Sequence, residues 1–196
     1  MRLLLARHGE SVFSVDGLLN GDGRVPGGLT PAGRDQARRL GELLRDEPLD
    51  VCVTSALERT IATADEALRG RDVPRLVHPE LNDPLYGRFE GAHLEDYRRW
   101  AAGNSSSEVP GPDGESRHAI VERYARAFRA LLALPEETVL VVAHSLPIAY
   151  ALAARDGTAP APRVPLAAYA EPYPFTGEEL ERATSLLEAW VAAPSW

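Results

Sequence analysis

Four side chains have the chemistry to bind and attack a phosphoryl group. Arg7, His8, Arg59 and His144 each come at or just after an apolar run of strand length. A guanidinium group presents a planar fork of N–H donors that matches the oxygens of a phosphate. A neutral imidazole is a nucleophile that can form a covalent intermediate, and nearby arginines can stabilise charge on the transferring oxygens without a metal ion. These residue types indicate a phosphoryl site, provided that the fold brings them together.

The elements that would bring them together are the strands of an α/β sheet. Apolar runs that alternate with helical patterns predict strands at 3–6, 51–54, 75–77, 138–143 and 164–170. We therefore expect a three-layer sandwich with a largely parallel central sheet and helices on both faces. In such sheets ligands bind at the carboxyl ends of the strands, which is where the four side chains lie.

Helix signals separate these strands. Thr30 and Pro31 predict a helix over 31–46, and Thr176 with Glu179 predicts the start of the last helix. Ser55 and Glu58 have the spacing of a capping box and predict a helix that begins there. We expect a further helix to begin at Ser145, with a backbone N–H that contributes to phosphate binding.

The whole chain, 1–196, is expected to form one domain with a capping insertion at about 84–114. That segment shows no hydrophobic periodicity typical of a helix or a strand, and its C-terminal part is rich in serine, glycine and proline. Arg98 and Arg99 lie in it, and their role is left open.

Composition excludes several classes of function. The chain has 196 residues, a formal net charge of -8 and no lysine, which excludes Walker A loops and Schiff-base chemistry. The acidic balance argues against nucleic-acid and membrane partners. The single cysteine, Cys52, suits a cytoplasmic protein. No metal-binding motif is present and no cofactor is expected. A homo-oligomer is left open, since nothing in the sequence indicates one.

Several motifs in fixed order resemble the histidine phosphatase superfamily, the phosphoglycerate mutase-like enzymes. The blocks are RHGES at 7–11, GLTPAG at 28–33 with QA at 36–37, SALERT at 55–60 with TA at 63–64, LND at 81–83 followed by EG at 90–91, GES at 114–116 and VVAH at 141–144. They span residues 3 to 148. One such block would be weak evidence, whereas an ordered series is strong.

The resemblance implies a role for each matching residue. His8 would be the nucleophile that becomes phosphohistidine, and Arg7, Arg59 and His144 would hold the phosphoryl oxygens. Asp83 would be the general acid for the leaving group and then the general base for water. The implied activity is that of a metal-independent phosphomonoesterase, a histidine acid-type phosphatase acting on a small phosphorylated metabolite.

Three positions depart from the family pattern. Asp83 stands where glutamate is commoner, so that its carboxyl group is one methylene closer to the backbone. Ser145 replaces the glycine that usually follows the second histidine. Ser14 falls where many members have an asparagine on the phosphate, and its hydroxyl is expected to replace that amide.

Two alternatives to hydrolysis remain. A cofactor-dependent phosphoglycerate mutase would share the site, although the chain is short for that branch and lacks the asparagine typical of mutases after His144. A non-catalytic phosphoanion-binding scaffold would keep the cationic side chains and lose the acid function of Asp83.

Overall fold

The computed structural model describes all residues from 1 to 196 and contains one five-stranded sheet. The strands are β1 (Arg2–Arg7), β2 (Val51–Thr54), β3 (Arg75–Val77), β4 (Thr138–Ala143) and β5 (Pro172–Thr176), in the order β3-β2-β4-β1-β5. The pairs among β1 to β4 are parallel, and β5 is antiparallel to β1. The predicted α/β architecture with a largely parallel sheet is confirmed.

The chain forms six α-helices, five of which cover the two faces of the sheet. They are α1 (Pro31–Leu43), α2 (Glu58–Ala67), α3 (Leu94–Ala102), α4 (Arg117–Leu132), α5 (Ser145–Arg155) and α6 (Gly177–Ala192). Apolar residues of α1 and α2 pack on one face, while those of α4, α5 and α6 pack on the other. No helix has both the length and the apolar character needed to span a membrane.

The central strands are apolar throughout because both of their faces are buried. Leu3 and Leu5 of β1 point into the core beneath α4, α5 and α6, whereas Leu4 and Ala6 point into the core beneath α1 and α2. Strand β4 is buried along its whole length and pairs with β1 in parallel register. This pairing places Arg7 beside Ala143, so the residues that follow the two strands emerge together.

The strand predicted at 164–170 is wrong. That stretch forms no strand, and only Tyr169 makes an isolated bridge, to Arg7. The fifth strand is β5, which contains Pro172 and Pro174 and lies at the sheet edge. Proline has no N–H to donate, and an edge strand leaves one side unpaired, so the prolines fit there.

The capping box predicted at Ser55 and Glu58 is also wrong. Helix α2 begins at Glu58 with Leu57 as its N-cap and no side-chain cap. The Ser55 hydroxyl accepts a hydrogen bond from the backbone N–H of Leu57 and also contacts His144, while the Glu58 carboxylate accepts one from Gly27. Both side chains therefore bond to residues from distant parts of the chain instead of forming the local capping box.

The other capping predictions are confirmed. Thr30 accepts a hydrogen bond from the Gly33 N–H at the start of α1, which ends at Leu43 rather than at 46. Thr176 and Glu179 form a reciprocal capping box at the start of α6. Helix α3 lies inside the segment 84–114, where no periodicity had indicated one.

Candidate active site

The two predicted active-site histidines emerge side by side from adjacent strand ends. His8 follows β1 and His144 follows β4, and the N–H of His8 donates to the carbonyl of Ala143 at 3.0 Å. The ring centroids are 5.3 Å apart. Both side chains are buried. The parallel pairing of β1 and β4 therefore creates the juxtaposition that the sequence implied.

Hydrogen bonds define the tautomer of His8. Its Nδ1 lies 2.7 Å from the carbonyl oxygen of Gly9, which can only accept, so Nδ1 carries the proton. Nε2 lies 3.2 Å from the Nε–H of Arg59, from which it accepts. Burial, followed by the charges of Arg59 and Arg7, holds the pKa of His8 well below its usual value. The ring is neutral, and its Nε2 lone pair is turned toward Arg59.

Arg59 is the centre of the site. Its Nε donates to His8, one terminal nitrogen donates to the side-chain oxygen of Asn20 at 3.1 Å, and the other donates to Asp83 Oδ2 at 3.0 Å. Its side chain is only 5% exposed. Because the planar guanidinium group has partners on all three nitrogens, its orientation is fixed.

Asp83 lies between Arg59 and the second histidine. Its Oδ2 is 3.7 Å from His144 Nδ1, and the side chain is 18% exposed. Burial raises the pKa of Asp83, and the charges of Arg59 and Arg7 partly oppose that rise. A raised pKa favours the protonated carboxyl group that a general acid requires.

A tight backbone contact supports this arrangement. A β-carbon at Gly21 would come within 1.7 Å of the carbonyl oxygen of Pro84, so no side chain fits there. The turn that carries Asn20 consequently packs directly against the segment that carries Asp83.

His144 is held by a chain of hydroxyl groups. Its Nε2 lies 2.8 Å from the Ser55 hydroxyl, which lies 2.8 Å from the hydroxyl of Thr60. Its Nδ1 is buried and makes no hydrogen bond. Burial, followed by the Arg59 and His8 groups, holds the pKa of His144 well below its usual value. Nδ1 thus remains available to a ligand.

Arg7 is held from the opposite side of the site. One terminal nitrogen donates to the carbonyl of Ala167 at 2.9 Å, and the guanidinium lies 3.8 Å from the ring centroid of Tyr169. Its Nε is buried and makes no hydrogen bond. Burial is the main cause of a lowered pKa, yet an arginine remains charged at any physiological pH.

Two residues of the site carry no signal in the sequence and were not predicted. Asn20 belongs to an Asn-Gly pair, which is typical of a turn, yet its amide oxygen accepts a hydrogen bond from Arg59. Tyr169 had been assigned to the strand predicted at 164–170, although its ring lies under Arg7 and 6.1 Å from His8. Each reaches the site through long-range contacts, which local patterns do not reveal.

The two serines expected to bind phosphate already have local partners. The Ser14 hydroxyl is engaged with the backbone and hydroxyl of Ser11. The Ser145 hydroxyl accepts a hydrogen bond from the N–H of Ala167 at 2.8 Å, which fixes the loop that holds Arg7. Both serines line the same cavity as His8, Arg7 and Arg59.

This cavity encloses about 860 Å³ counted to its open mouth. Apolar and aromatic side chains form much of the wall, including Phe13, Tyr86 and Leu146. Asp83 is the one carboxylate in the lining, although the chain is acidic overall. The cavity is therefore a cationic site in an anionic protein.

A parallel sheet whose strand ends bring a buried neutral imidazole between two guanidinium groups defines an α/β enzyme of phosphoryl chemistry. Comparison with known proteins gives the family. The model of the histidine phosphatase superfamily (branch 1) matches residues 3–167, and the chain belongs to this family.

Named relatives agree with this assignment. The chain is 38% identical over 153 residues to the adenosylcobalamin/alpha-ribazole phosphatase of Salmonella typhimurium, covering 74% of each chain. It is 36% identical over 156 residues to a 2,3-bisphosphoglycerate-dependent phosphoglycerate mutase of Methylobacterium sp., covering 72% of this chain and 74% of the other. The crystal structure of the alpha-ribazole phosphatase from Shigella flexneri superimposes with a TM-score of 0.70 at 33% identity, covering 81% of each chain.

The comparisons confirm the predicted family and fold class. They also confirm the predicted assignment to the phosphatases, as a phosphomonoesterase of small metabolites. Both phosphatases and mutases occur among the relatives, so the roles of individual residues rest on the geometry of the site.

Proposed function

We propose that the protein hydrolyses a small phosphate monoester in two steps, with His8 as the nucleophile. In the first step His8 Nε2 attacks phosphorus in line, the N–P bond forms and the bond to the leaving oxygen breaks. Asp83 donates its proton to that oxygen as it departs. The products are phosphohistidine and the free alcohol.

The second step returns the enzyme to its starting state. Asp83, now a carboxylate, accepts a proton from a water molecule as the water oxygen attacks phosphorus. The N–P bond breaks, inorganic phosphate leaves and Asp83 is again protonated. Atoms and charges balance without a metal ion or a cofactor.

Unused hydrogen-bonding groups support the proposed phosphate-binding position. Arg7 Nε and His144 Nδ1 are buried without hydrogen-bond partners. A buried polar group without a partner carries a free-energy cost that a bound phosphoryl oxygen would remove. Arg59 would exchange its contact with His8 for a phosphoryl oxygen as the ring becomes phosphorylated. Ser145 would contribute through its backbone N–H, because its hydroxyl is engaged with Ala167. Ser14 would have to exchange its present contacts with Ser11, which engage both its N–H and its hydroxyl, for a phosphoryl oxygen.

One observation carries the proposal: the hydrogen bonds and burial of His8 leave Nε2 unprotonated and turned toward the guanidinium group of Arg59. This arrangement also supports the acid-type subclass. A nucleophile with a lowered pKa remains neutral in mildly acidic solution, and the raised pKa of Asp83 favours its protonated form as pH falls. Metal independence and a cytoplasmic location are parts of the same proposal.

The relatives indicate two classes of reaction to compare. Alpha-ribazole phosphate, named in the phosphatase relatives, is one test substrate for the proposed hydrolysis. Phosphoglycerate, named in the mutase relatives, is the other. The segment 84–114, which supplies Tyr86 and Tyr97 to the cavity wall, is proposed as the capping insertion of a single domain.

The test is hydrolysis of p-nitrophenyl phosphate and a panel of metabolite phosphates in the presence of EDTA. We expect phosphate release by the wild type, and release at the background rate by His8→Ala. Equal rates for the two proteins would overturn the proposed function, as would loss of activity with EDTA. Interconversion of 3- and 2-phosphoglycerate faster than phosphate release would instead establish a mutase.

A further inference from the structure

The segment that carries Asp83 has few backbone hydrogen bonds of its own. Asp83 makes none through its backbone N–H or carbonyl, and Pro84 after it has no N–H to donate. The Asp83 side chain is also one methylene shorter than a glutamate, so its carboxyl group follows any movement of the backbone closely. The residues on either side of Asp83 must therefore hold this carboxyl group in place.

Helix α4 holds the chain before Asp83 with two neighbouring side chains. One terminal nitrogen of Arg123 donates to the carbonyl oxygens of Glu80 at 2.7 Å and Asn82 at 2.9 Å. The hydroxyl of Tyr124 also donates to the Asn82 carbonyl, at 3.1 Å. The Arg123 side chain is 13% exposed, and Tyr124 is fully buried. The residue that precedes Asp83 is thus fixed from the protein interior.

Glu115 connects Arg123 to the chain after Asp83. Its two carboxylate oxygens accept hydrogen bonds from Nε and the second terminal nitrogen of Arg123, each at 2.8 Å. One of these oxygens also accepts from the N–H of Leu85 at 2.9 Å, and the N–H of Glu115 donates to the Leu85 carbonyl at 2.8 Å. The ion pair of Arg123 and Glu115 therefore contacts the chain on both sides of Asp83, and we call it the Arg123–Glu115 clamp.

The clamp is rigid and is tied to the helix that carries Arg59. All three guanidinium nitrogens of Arg123 are engaged, and bidentate pairs with a carboxylate are strong and directional. The side-chain oxygen of Asn82 accepts a hydrogen bond from the N–H of Ala56 at 2.8 Å, just before α2. Neither residue of the clamp lines the cavity, so neither can act on the substrate directly.

We propose that Arg123 and Glu115 are positioning residues for the general acid, which hold the backbone at 82–85 so that the short Asp83 carboxyl group reaches the leaving oxygen. This inference rests on the proposed function for the acid role of Asp83. Loss of the clamp should impair the steps in which Asp83 transfers a proton, because a displacement of about 1 Å can cost on the order of 100-fold in rate.

The experiment compares an alkyl phosphate with p-nitrophenyl phosphate, whose leaving group departs without a proton. The leaving-group ratio is kcat/KM for p-nitrophenyl phosphate divided by kcat/KM for the alkyl phosphate. In Arg123→Met we expect this ratio to rise by about 10- to 100-fold over the wild type. Arg126→Met is the matched control and should leave the ratio unchanged, because Arg126 lies on the same helix, is 54% exposed and pairs only with the Glu80 and Glu122 side chains.

A double variant shows whether Arg123 acts through Asp83. Asp83→Asn alone should raise the leaving-group ratio by at least about tenfold, because the acid is lost. Addition of Arg123→Met to Asp83→Asn should raise it no further, since no acid is left to position. Increases that multiply in the double variant would show an effect independent of Asp83 and would overturn the proposal.

An ion pair that only stabilises the fold predicts a different result. Arg123→Met would then lower the melting temperature and reduce kcat/KM for both substrates in the same proportion, and this unchanged ratio overturns the proposal. If Arg123→Met does not fold, Arg123→Lys provides the same measurement. Its single ammonium group cannot reach Glu115 and both carbonyl oxygens together, so the ratio should rise, and an unchanged ratio again overturns the proposal.

The same measurements separate this inference from the proposed function. A raised ratio in Asp83→Asn without a raised ratio in the Arg123 variants would overturn the clamp alone and leave the acid role of Asp83 intact. An unchanged ratio in Asp83→Asn would overturn that acid role, and the positioning role of the clamp with it.

Discussion

Replacement of Asp83 by asparagine separates its acid role from its structural contacts. The asparagine side chain is close in size to the native one, and its amide oxygen would keep the 3.0 Å contact with Arg59. The variant loses only the ionisable proton. We therefore expect an effect on chemistry with little effect on binding.

The size of the effect depends on the leaving group. An alkoxide needs a proton as it departs, so kcat/KM for an alkyl phosphate should fall by about 10² to 10⁴, which is the usual contribution of a general acid. p-Nitrophenolate leaves without a proton, so phosphorylation of His8 by p-nitrophenyl phosphate should slow by less than about tenfold. Hydrolysis of phosphohistidine still lacks its base, so the second step becomes rate-limiting.

The assay is rapid-mixing kinetics with Asp83→Asn and p-nitrophenyl phosphate. We expect a burst of p-nitrophenol equal to one equivalent of enzyme, followed by a slow steady state. Asp65→Asn is the matched control, since that side chain is 66% exposed and lies outside the cavity, and it should behave as the wild type. Equal losses for alkyl and aryl substrates, without a burst, would refute the acid–base role of Asp83.

Three further predictions concern other groups of the site. Arg59→Lys replaces three fixed donors by one ammonium group, so kcat/KM should fall by about 10² to 10³, whereas Arg69→Lys, at a 71% exposed position, should leave it unchanged. Ser55→Ala removes the partner of His144 Nε2 and should lower kcat/KM by about tenfold; a wild-type rate would show that the hydroxyl chain is not needed. The lowered pKa of His144 means that the unfolded chain binds its proton first as pH falls. Below about pH 6.5 His144 should therefore lower the free energy of unfolding by up to about 1.4 kcal/mol per pH unit in urea titrations of the wild type, and His8 should add a contribution of the same sign. His144→Asn should show a shallower slope and His93→Asn the wild-type slope; identical slopes for all three proteins would contradict the burial of a neutral His144.

The sequence predicted the parts of the site that lie at strand ends. Arg7, His8 and His144 follow apolar runs directly, and parallel pairing of β1 with β4 is enough to bring them together. Arg59 comes soon after β2 in the chain, so the prediction of that strand also places Arg59 near the same edge of the sheet. Such predictions succeed because strand ends in a parallel sheet meet at one edge.

What the sequence did not predict depends on contacts between distant segments. Asn20 lies in a turn and Tyr169 in a loop, and both reach the site only because those segments pack against 83–84 and β1. Ser55 has the spacing of a helix cap, yet its hydroxyl bonds to His144, 89 positions away. Local pattern rules do not include such partners.

The sequence left the roles of Arg98 and Arg99 open, and the structure distinguishes the two residues. Arg98 and Arg99 are adjacent and of the same type, but one faces the cavity and the other faces solvent. Arg117 follows the GES block with no signal of its own. Only the structure shows that the guanidinium group of Arg117 is buried without a carboxylate partner.

Chemical trapping of the phosphoenzyme tests the central role of His8 most directly. Asp83→Asn, quenched within the burst phase with a phosphate monoester, should carry about one phosphate per chain, stable to alkali and released by acid. Peptide mapping should place it on His8, and the double variant His8→Ala, Asp83→Asn should carry none. Phosphate on any other residue, or turnover by a His8→Ala enzyme, would contradict the account.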